Sequence, residues 1–400
     1  MQLAKKAEQI SESLTLAISA KAKQMKAAGH DVVGFGAGQP GFDTPQYIVE
    51  AANQALAEGF TRYTPASGTL DLKKAVCEKF SRDNNLIYSP KNIIINCGAK
   101  HSLYNTFQAI LNPGDQVLIP KPYWVSYPEI VKMADGQPVF VSTKEKDNFK
   151  MKMAVLKKAI TARTKALILN SPSNPNGCVY DQQELEQIAE IAVANDLFII
   201  ADEIYEYFLY DDCQHTSIAS FSSEIKERTI VINGMSKAYA MTGWRIGFAA
   251  GDSRIIKIMG NIQSHSTSNP NSIAQYASTV GLNETDKARQ AVEGMVAEFD
   301  KRRQFMYNEI NNSPKLSCFL PRGAFYLMMN ISKIIGHKYQ GQEISGSLSF
   351  AKHLLESEKV AVVPGIAFGA DQFVRLSYAV SLDDIKKGLK RIKRFIDNLQ

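Results

Sequence analysis

The stretch Asn233-Gly-Met-Ser-Lys-Ala-Tyr-Ala-Met-Thr-Gly-Trp-Arg-Ile-Gly247 places one lysine, Lys237, in a run of small residues and one arginine, Arg245, eight positions later. The apolar residues 229–232 before it predict a short buried strand, and residues 245–249 predict a second strand. Lys237 is therefore expected in the connection between two strands. Functional residues concentrate in such connections, although a lone loop lysine can also be only a solvated charge.

The neighbours of Lys237 indicate what the lysine could bind. Their side chains are small, which leaves room for a large planar group against the backbone. The hydroxyl of Ser236 and the guanidinium of Arg245 are groups that bind phosphate well. An amine that can form an imine beside a phosphate site suggests pyridoxal phosphate (PLP) as the cofactor.

This stretch resembles the cofactor-lysine signature of the class I and II aminotransferases. That signature has a small residue, an apolar residue, a small residue and the lysine, then an arginine eight residues on and a glycine two beyond it. The resemblance extends over most of the chain and points to the bacterial aspartate aminotransferase branch. It implies fold-type I of the PLP-dependent transferases, an α/β fold with a mainly parallel sheet flanked by helices in a large domain, plus a smaller α+β domain. The implied large domain is residues 45–285, and the small, discontinuous domain is residues 1–44 and 286–400.

The order of predicted elements independently favours the same fold class. Short apolar strands alternate with helices through the first two thirds of the chain, which is typical of a mainly parallel sheet. Ligands of such sheets bind at the carboxyl ends of the strands. Asn174 follows the apolar run 166–169, and Asp202 follows the run 197–201 directly. A carboxylate at that position is costly without a partner, so Asp202 is expected to bind a cation.

The resemblance assigns cofactor roles to five of these residues. Lys237 would form a Schiff base with PLP, and Asp202 would hold the ring nitrogen protonated. Tyr205 and Asn174 would bond the phenolic oxygen of the cofactor. Trp124, in an aromatic run after a strand, would stack on its ring.

The phosphate would lie at a predicted helix start, where unpaired amides form an anion site. Cys97-Gly98-Ala99-Lys100 follows the strand predicted at residues 92–96 and is expected to open a helix that runs to Leu111. The resemblance implies these phosphate contacts: Gly98, Ala99, Lys100, Ser236, Arg245 and, from the neighbouring subunit, Tyr63.

The substrate would be held mainly by charged groups. Arg375 alternates with Val374 and Leu376 on a predicted strand, and the resemblance assigns it to the α-carboxylate of the amino acid. Lys100 would contribute to holding a distal carboxylate. The substrate-binding set is Gly38, Lys100, Trp124, Asn174 and Arg375.

A glycine-rich run, Gly36-Ala-Gly-Gln-Pro-Gly41, matches G-x-G-x-x-G and raises the alternative of a nicotinamide enzyme. The context disfavours it, because the dinucleotide motif needs its last glycine in the opening turn of a helix. Here the next helix is predicted over residues 45–60, with Thr44 as cap and Pro45 at its first position. A further helix is predicted over residues 11–28.

Composition limits the class of protein. The 400 residues suggest two domains, and 45% apolar with 22% charged residues is a globular, soluble composition. The net charge of +6 is spread over interleaved charges, which disfavours a nucleic-acid partner. Five scattered cysteines argue for a reducing compartment and against a structural metal. We expect a cytoplasmic protein without a signal peptide or membrane span.

The resemblance therefore implies a homodimer with shared active sites that moves the amino group of L-aspartate to 2-oxoglutarate. The alternatives are an aspartate/prephenate enzyme, a broader donor range that includes aromatic amino acids or alanine, and a PLP lyase or decarboxylase on the same fold. Ser11 stands where relatives that use prephenate carry a lysine. A transcriptional regulator with this domain would need a DNA-binding module of its own.

Overall fold

The structure, a computed structural model, describes residues 4–8, 10–12 and 14–400. The predicted helix over residues 11–28 is observed as Leu14–Ala27. Ser13, within the predicted span, and residues 1–3 of the predicted small domain lie outside the described residues, as does residue 9. No helix within the described ranges is both long and apolar enough to cross a membrane.

Helices and strands alternate along most of the described chain. The α-helices, α1–α14, are Lys5–Glu8, Leu14–Ala27, Gln46–Ala57, Leu70–Asn84, Ala99–Ile110, Ser126–Met133, Met153–Ala159, Gln182–Ala194, Ser223–Arg228, Ser253–Ser266, Ser272–Asn283, Thr285–Asn311, Ser347–Glu358 and Leu382–Asp397. The β-strands, β1–β15, are Val33–Gly34, Ile93–Asn96, Gln116–Lys121, Gln137–Ser142, Thr164–Asn170, Phe198–Asp202, Thr229–Gly234, Gly247–Ala250, Ser317–Cys318, Tyr326–Asn330, Lys338–Tyr339, Gln342–Glu343, Val360–Ala361, Val363–Pro364 and Phe373–Ser377.

The main sheet has seven strands in the order β2-β8-β7-β6-β5-β3-β4. The strands β7, β6, β5, β3 and β4 pair in parallel, and β8 alone runs antiparallel to both of its neighbours. This confirms the predicted mainly parallel sheet. The register places Asn170 opposite Asp202 on the neighbouring strand, so the polar strand ends meet at one edge.

A second sheet of four antiparallel strands has the order β14-β15-β10-β9. Its apolar side chains share one core with α12 and with the turn after β6. Phe325 lies beside this sheet, and its ring centroid is 5.4 Å from that of Tyr205 and 5.7 Å from that of Phe208. The turn that follows Asp202 is therefore packed directly against the second sheet.

Two predicted elements near Lys237 have wrong boundaries, the strand predicted from residue 245 and the helix predicted over residues 45–60. The strand predicted from Arg245 begins at Gly247, because Arg245 adopts a left-handed φ of 61°. A Cβ on Gly247 would lie 2.2 Å from the Ala99 amide nitrogen, so only glycine allows β8 to pass this close to the start of α5.

The helix predicted over residues 45–60 is shorter, Gln46–Ala57, and its cap differs. Pro45 takes the N-cap position, with no capping side chain. The Thr44 hydroxyl instead donates to the Ala240 carbonyl at 2.9 Å and accepts from Trp244 Nε1 at 3.0 Å. Thr44 therefore fastens the segment before α3 to the loop that carries Lys237.

Candidate active site

A cavity of about 380 Å³ lies where the carboxyl ends of the main-sheet strands face the second sheet. Eleven of the thirteen predicted site residues line it, and Gly98 and Tyr63 do not. The eleven are Gly38, Ala99, Lys100, Trp124, Asn174, Asp202, Tyr205, Ser236, Lys237, Arg245 and Arg375. The structure thus brings together residues that are as far apart as 337 positions in the chain.

Lys237 lies in the loop between β7 and β8, and its amine points into the cavity. Its Nζ donates to the Gly38 carbonyl at 2.6 Å and lies 5.8 Å from the centre of the Tyr205 ring. Burial lowers the pKa of Lys237 to about 8, and the positive charges of Arg375 and Arg245 act in the same direction. A substantial fraction of this amine is therefore neutral near physiological pH, as a nucleophile or base requires.

Asp202 ends β6 and is only 4% exposed. The Tyr127 hydroxyl donates to its Oδ2 at 2.6 Å, and Asp202 forms no ion pair with the described residues. Burial raises the pKa of Asp202 to about 6, although the hydrogen bond from Tyr127 lowers it. Its Oδ1 accepts a longer hydrogen bond from the Ile204 amide at 3.4 Å. The chain therefore supplies two neutral donors where a cation was expected, and the carboxylate keeps capacity to accept from a cationic group.

Tyr127 is a site residue that the sequence reasoning did not single out. It follows Trp124 by three positions in the same aromatic run, and the two rings meet edge to face at 5.3 Å. The aromatic run indicated that this stretch is functional. The hydrogen bond between Tyr127 and Asp202 joins residues 75 positions apart, so a local sequence pattern does not reveal it.

Tyr205 pairs with a second residue that was not predicted. Its hydroxyl lies 3.0 Å from that of Tyr326, which starts strand β10 of the second sheet. The Asn174 side chain is oriented by Arg375, whose Nη1 donates to Asn174 Oδ1 at 2.9 Å. Because the side-chain oxygen of Asn174 accepts this hydrogen bond, its side-chain NH₂ group remains able to donate into the cavity.

Arg375 lies on β15 and is only 3% exposed. Its guanidinium carbon lies 4.3 Å from the centre of the Tyr326 ring and 5.0 Å from that of Phe368. Its Nη2 donates to the Gly36 carbonyl at 3.2 Å, its Nε has no hydrogen-bond partner, and it pairs with no carboxylate of the described residues. A buried guanidinium without a carboxylate is poised to bind an anion.

Arg245 and the start of α5 form a second anion-binding corner. The helix begins at Ala99 rather than Cys97, and Arg245 donates to the Cys97 carbonyl at 3.2 Å and to the Thr242 carbonyl at 2.9 Å. Gly98, with a φ of 85°, permits this approach, since a Cβ there would lie 2.3 Å from Arg245 Nη2. The first amides of α5 have no helical acceptor, so they can bind an anion together with Arg245.

Two further lining residues complete this part of the cavity. Lys100 Nζ lies 5.1 Å from the centre of the Trp124 ring. Burial lowers the pKa of Lys100, and the charge of Arg245 lowers it further. The Ser236 hydroxyl has no hydrogen-bond partner within the described part of the chain and is only 7% exposed. Both groups are thus available to a ligand.

The glycine-rich run does not form a dinucleotide-binding turn. It follows β1, contributes Gly36 and Gly38 to the cavity lining, and reaches no helix before Gln46. A Cβ on Gly41 would lie 2.4 Å from the Ala379 carbonyl oxygen, which explains a glycine there without any phosphate contact.

Tyr63 does not reach the cavity of its own chain. Its side chain is 91% exposed, an unusual position for a large aromatic residue. A larger cavity of about 770 Å³ lies along α12, between Arg82 and Asp300, and it contains none of the predicted site residues. Of these two cavities, only the smaller one is lined by the predicted site residues.

Comparison with known proteins agrees with this geometry. Residues 30–392 match the family model of the aminotransferases of class I and II. The aspartate aminotransferase of Bacillus subtilis is 49% identical over 397 residues, which cover 99% of each chain. The aspartate/prephenate aminotransferase of Nitrosomonas europaea is 44% identical over 98% of this chain and 99% of its own length.

A solved structure shares the whole fold. The structure of the aspartate aminotransferase from Thermus thermophilus with maleate matches with a TM-score of 0.93 and 41% identity, over 99% of this chain and 100% of the other. The predicted fold-type I architecture is thereby confirmed.

Replacement of Asp202 by Asn is expected to stabilise the cofactor-free protein at pH 7.5 and to have little effect at pH 4. The pKa of Asp202 is raised by folding to about 6, so its contribution to stability is present below its unfolded pKa and is lost as pH rises through 6. The gain at pH 7.5 is on the order of 3 kcal/mol. Urea unfolding at both pH values measures it.

Asp196→Asn is the matched control, because the Asp196 side chain is 97% exposed and its replacement should leave stability nearly unchanged. An Asp202→Asn protein that is less stable than the wild type at pH 7.5 would show that the carboxylate is not strained by its burial.

Proposed function

Because the chain belongs to the aminotransferases of class I and II, we propose that it is an aspartate aminotransferase that uses PLP to move the amino group of L-aspartate to 2-oxoglutarate. One observation carries the proposal. The amine of Lys237, the carboxylate of Asp202 and the guanidinium of Arg375 line one cavity, and none has an ion-pair partner among the described residues. The amine can react with a carbonyl, the carboxylate can bind a cation and the guanidinium can bind a carboxylate. A PLP molecule and an amino acid together supply these three groups.

The donor set of the cavity fits PLP. Asp202 would hold the protonated ring nitrogen, and this cation would relieve the cost of burying the carboxylate. Ser236, Arg245 and the first amides of α5 would bind the phosphate. Trp124, held edge to face by Tyr127, would cover the ring. When bound, PLP supplies an electron sink that stabilises negative charge at the substrate Cα.

The residues of the chain would provide binding and proton transfer. Arg375 would bind the α-carboxylate with the two-pronged geometry that guanidinium offers, and so fix the Cα next to Lys237. Lys237 would anchor the cofactor and, once released, remove and return the proton at Cα, for which its pKa of about 8 is suited. Asn174 and Tyr205 would donate hydrogen bonds to the phenolic oxygen of PLP.

The preference for a dicarboxylate rests on Lys100. Its amine lies at the cavity on the side of Trp124, apart from Arg375, and forms no ion pair with the described residues. A second cation is what the distal carboxylate of aspartate or 2-oxoglutarate needs. The Thermus thermophilus relative was solved with maleate, a dicarboxylate. An aspartate/prephenate specificity is the second candidate, favoured by the relatives named for both substrates.

We also propose a homodimer whose two sites are shared. Tyr63 is exposed on its own chain, and its hydroxyl would reach the cofactor phosphate of the neighbouring subunit. Residues 45–285 would form the large domain, and residues 1–44 with 286–400 the small one, which would close over the bound substrate. The proposed division coincides with the start of α12 at Thr285. A cytoplasmic location stays a prediction.

The purified protein is expected to bind PLP and absorb visible light, and Lys237→Ala should lose both that absorption and transamination. Spectroscopy and a coupled assay with aspartate and 2-oxoglutarate test this. The exposed Lys301→Ala is the control and should behave as the wild type. A wild-type protein that remains colourless after incubation with PLP would end the proposal, whereas turnover without any 2-oxo acid acceptor would indicate a lyase.

Lys100→Ala should lower kcat/KM for aspartate about 10- to 150-fold, because loss of a charge-assisted contact costs on the order of 1.5–3 kcal/mol. Alanine, which has no distal carboxylate, should be affected much less and serves as the internal control. Steady-state kinetics with both donors measures the difference. An equal loss for both donors would show that Lys100 serves the cofactor and not the substrate side chain.

Tyr63→Asp and Lys237→Ala should each be inactive, and heterodimers of the two should regain about half of the wild-type activity, since one of their two shared sites is intact. Differently tagged subunits allow the heterodimer to be isolated and assayed. Heterodimers of Lys237→Ala with Lys237→Arg provide the control without an intact site. Isolated heterodimers without activity would place the role of Tyr63 within its own subunit.

A further inference from the structure

Four ionisable side chains are buried together behind the turn that follows β6, and none of them lines the cavity. They are Glu203 and Glu206 of the turn, Lys79 of α4, and His215. Their side chains are between 2% and 9% exposed. We call these four residues the charge cluster.

Glu206 is fully paired within the cluster. Its Oε1 lies 2.5 Å from Lys79 Nζ and accepts from Asn233 Nδ2 at 2.7 Å. Its Oε2 accepts from Asn84 Nδ2 at 2.7 Å. Lys79 Nζ also lies 3.7 Å from Asp83 Oδ2, but Asp83 is partly exposed and is paired with Arg82 Nε at 2.8 Å. Asp83 and Arg82 therefore add no net charge, and the positive charge of Lys79 is matched by Glu206.

Glu203 depends on His215 for its counter-charge. Its Oε1 accepts from the Ser217 hydroxyl at 2.7 Å, and its Oε2 lies 3.2 Å from His215 Nε2. The same imidazole nitrogen lies 4.0 Å from Glu206 Oε2. With a neutral imidazole the cluster would bury one uncompensated negative charge, and with an imidazolium its net charge is zero.

We propose that His215 is a positioning residue, which carries a proton that neutralises the cluster and so holds the turn that presents Asp202 and Tyr205 to the cavity. The inference rests on the function proposed above, in which these two residues bind the cofactor. The burial of a charge without a partner destabilises a protein strongly, so the proton of His215 is part of the folded structure.

The charge cluster is connected to the site by two chain segments, residues 202–206 and residues 233–237. Glu203 and Glu206 alternate with Asp202 and Tyr205 along one five-residue stretch, and the Glu203 amide donates to the Ile232 carbonyl at 2.9 Å. Asn233, next along the chain, is held by Glu206 and begins the segment that leads to Lys237. A disturbed cluster would therefore move both sides of the cofactor site.

The surroundings of His215 favour its protonated form. Burial by itself lowers the pKa of His215, but the carboxylates of Glu203 and Glu206 raise it, and despite the opposing charge of Lys79 the pKa lies above its usual 6.5. The tyrosines near the two carboxylates stay neutral, since burial and these carboxylates raise the pKa of Tyr88 and Tyr207.

A divalent cation is the other possible source of positive charge. One atom each of Glu203, Glu206 and His215 lie within 4.8 Å of one another, a spacing that could hold an ion. Because Lys79 already pairs with Glu206, a divalent ion would leave the cluster with a net charge of +1, whereas a proton leaves it neutral. The charge balance therefore favours the proton.

The test compares His215→Gln with the double variant Glu203→Gln/His215→Gln, both without cofactor. The single variant buries one uncompensated charge and should lower the apparent Tm by on the order of 5 °C at pH 6.5. The double variant is neutral and should recover most of that loss. His353→Gln is the control, because His353 is half-buried and takes part in no ion pair among the described residues.

The pH dependence gives a second readout. Because folding raises the pKa of His215, its contribution is fully present below pH 6.5 and is lost as pH rises through the folded pKa. The difference in Tm between the wild type and His215→Gln should therefore shrink at high pH. The ¹⁵N shifts of the His215 imidazole in the wild type should show mainly the doubly protonated form at pH 6.5, which tests the proposal even if the variants fail to fold.

In the PLP-loaded enzyme, His215→Gln should weaken PLP binding by about tenfold and the double variant should restore it. Failure of the wild type to bind PLP would end the proposed function, while the stability and NMR results would still decide the protonation of His215. A mainly neutral imidazole at pH 6.5, or a double variant no more stable than the single one, would overturn the inference. So would a rise in wild-type Tm on addition of Zn²⁺ or Mn²⁺ that His215→Gln abolishes.

Discussion

The carboxylate of Asp202 lies at the end of a central strand, nearly out of contact with solvent, with hydrogen bonds from the Tyr127 hydroxyl and the Ile204 amide and no cation from the described chain. This burial is unfavourable for the ionised group and raises its pKa to about 6. The sheet forces the arrangement, since β6 is flanked on both sides by parallel strands and must end at the same edge as they do. The protein therefore holds a buried carboxylate without a counter-charge at the edge where the ends of the neighbouring strands meet, and a cationic ligand would stabilise it.

The second sheet turns this edge into an enclosed site. Its strand β10 places Tyr326 against the hydroxyl of Tyr205, and its strand β15 places Arg375 between the rings of Tyr326 and Phe368. The aromatic faces hold the guanidinium by cation–π contact while its Nε stays without a partner. Packing between the two sheets thus fixes a positive charge opposite the Asp202 edge, with Lys237 and the cavity between them.

Many of the site residues could be predicted from the sequence, because the patterns that identify them lie within short stretches of the chain. Lys237 and Arg245 belong to one short motif, Asp202 stands directly after an apolar run that predicts a parallel strand, and Asn174 follows another such run by a few residues. Tyr127 and Tyr326 were missed because their roles come from hydrogen bonds to Asp202 and Tyr205, which lie 75 and 121 positions away. The predicted strand start at Arg245 failed for a related reason. Arg245 has a left-handed backbone conformation and donates to the Cys97 carbonyl before α5. The apolar pattern of residues 245–249 does not reveal this contact.

The neighbouring carboxylates of Asp202 and Glu203 are both buried, but they differ in whether a nearby group can compensate their charge. Asp202 faces the cavity with an unmet need for a cation, whereas Glu203 faces the interior and is matched by His215 and Ser217. An unpaired charge is useful only if the backbone beneath it cannot relax to relieve it. The paired cluster on the far side of the turn resists that relaxation, because any shift that exposed Asp202 would pull Glu203 and Glu206 away from their partners. The stability of the buried pairs is therefore what allows the adjacent site to keep its strained carboxylate in place.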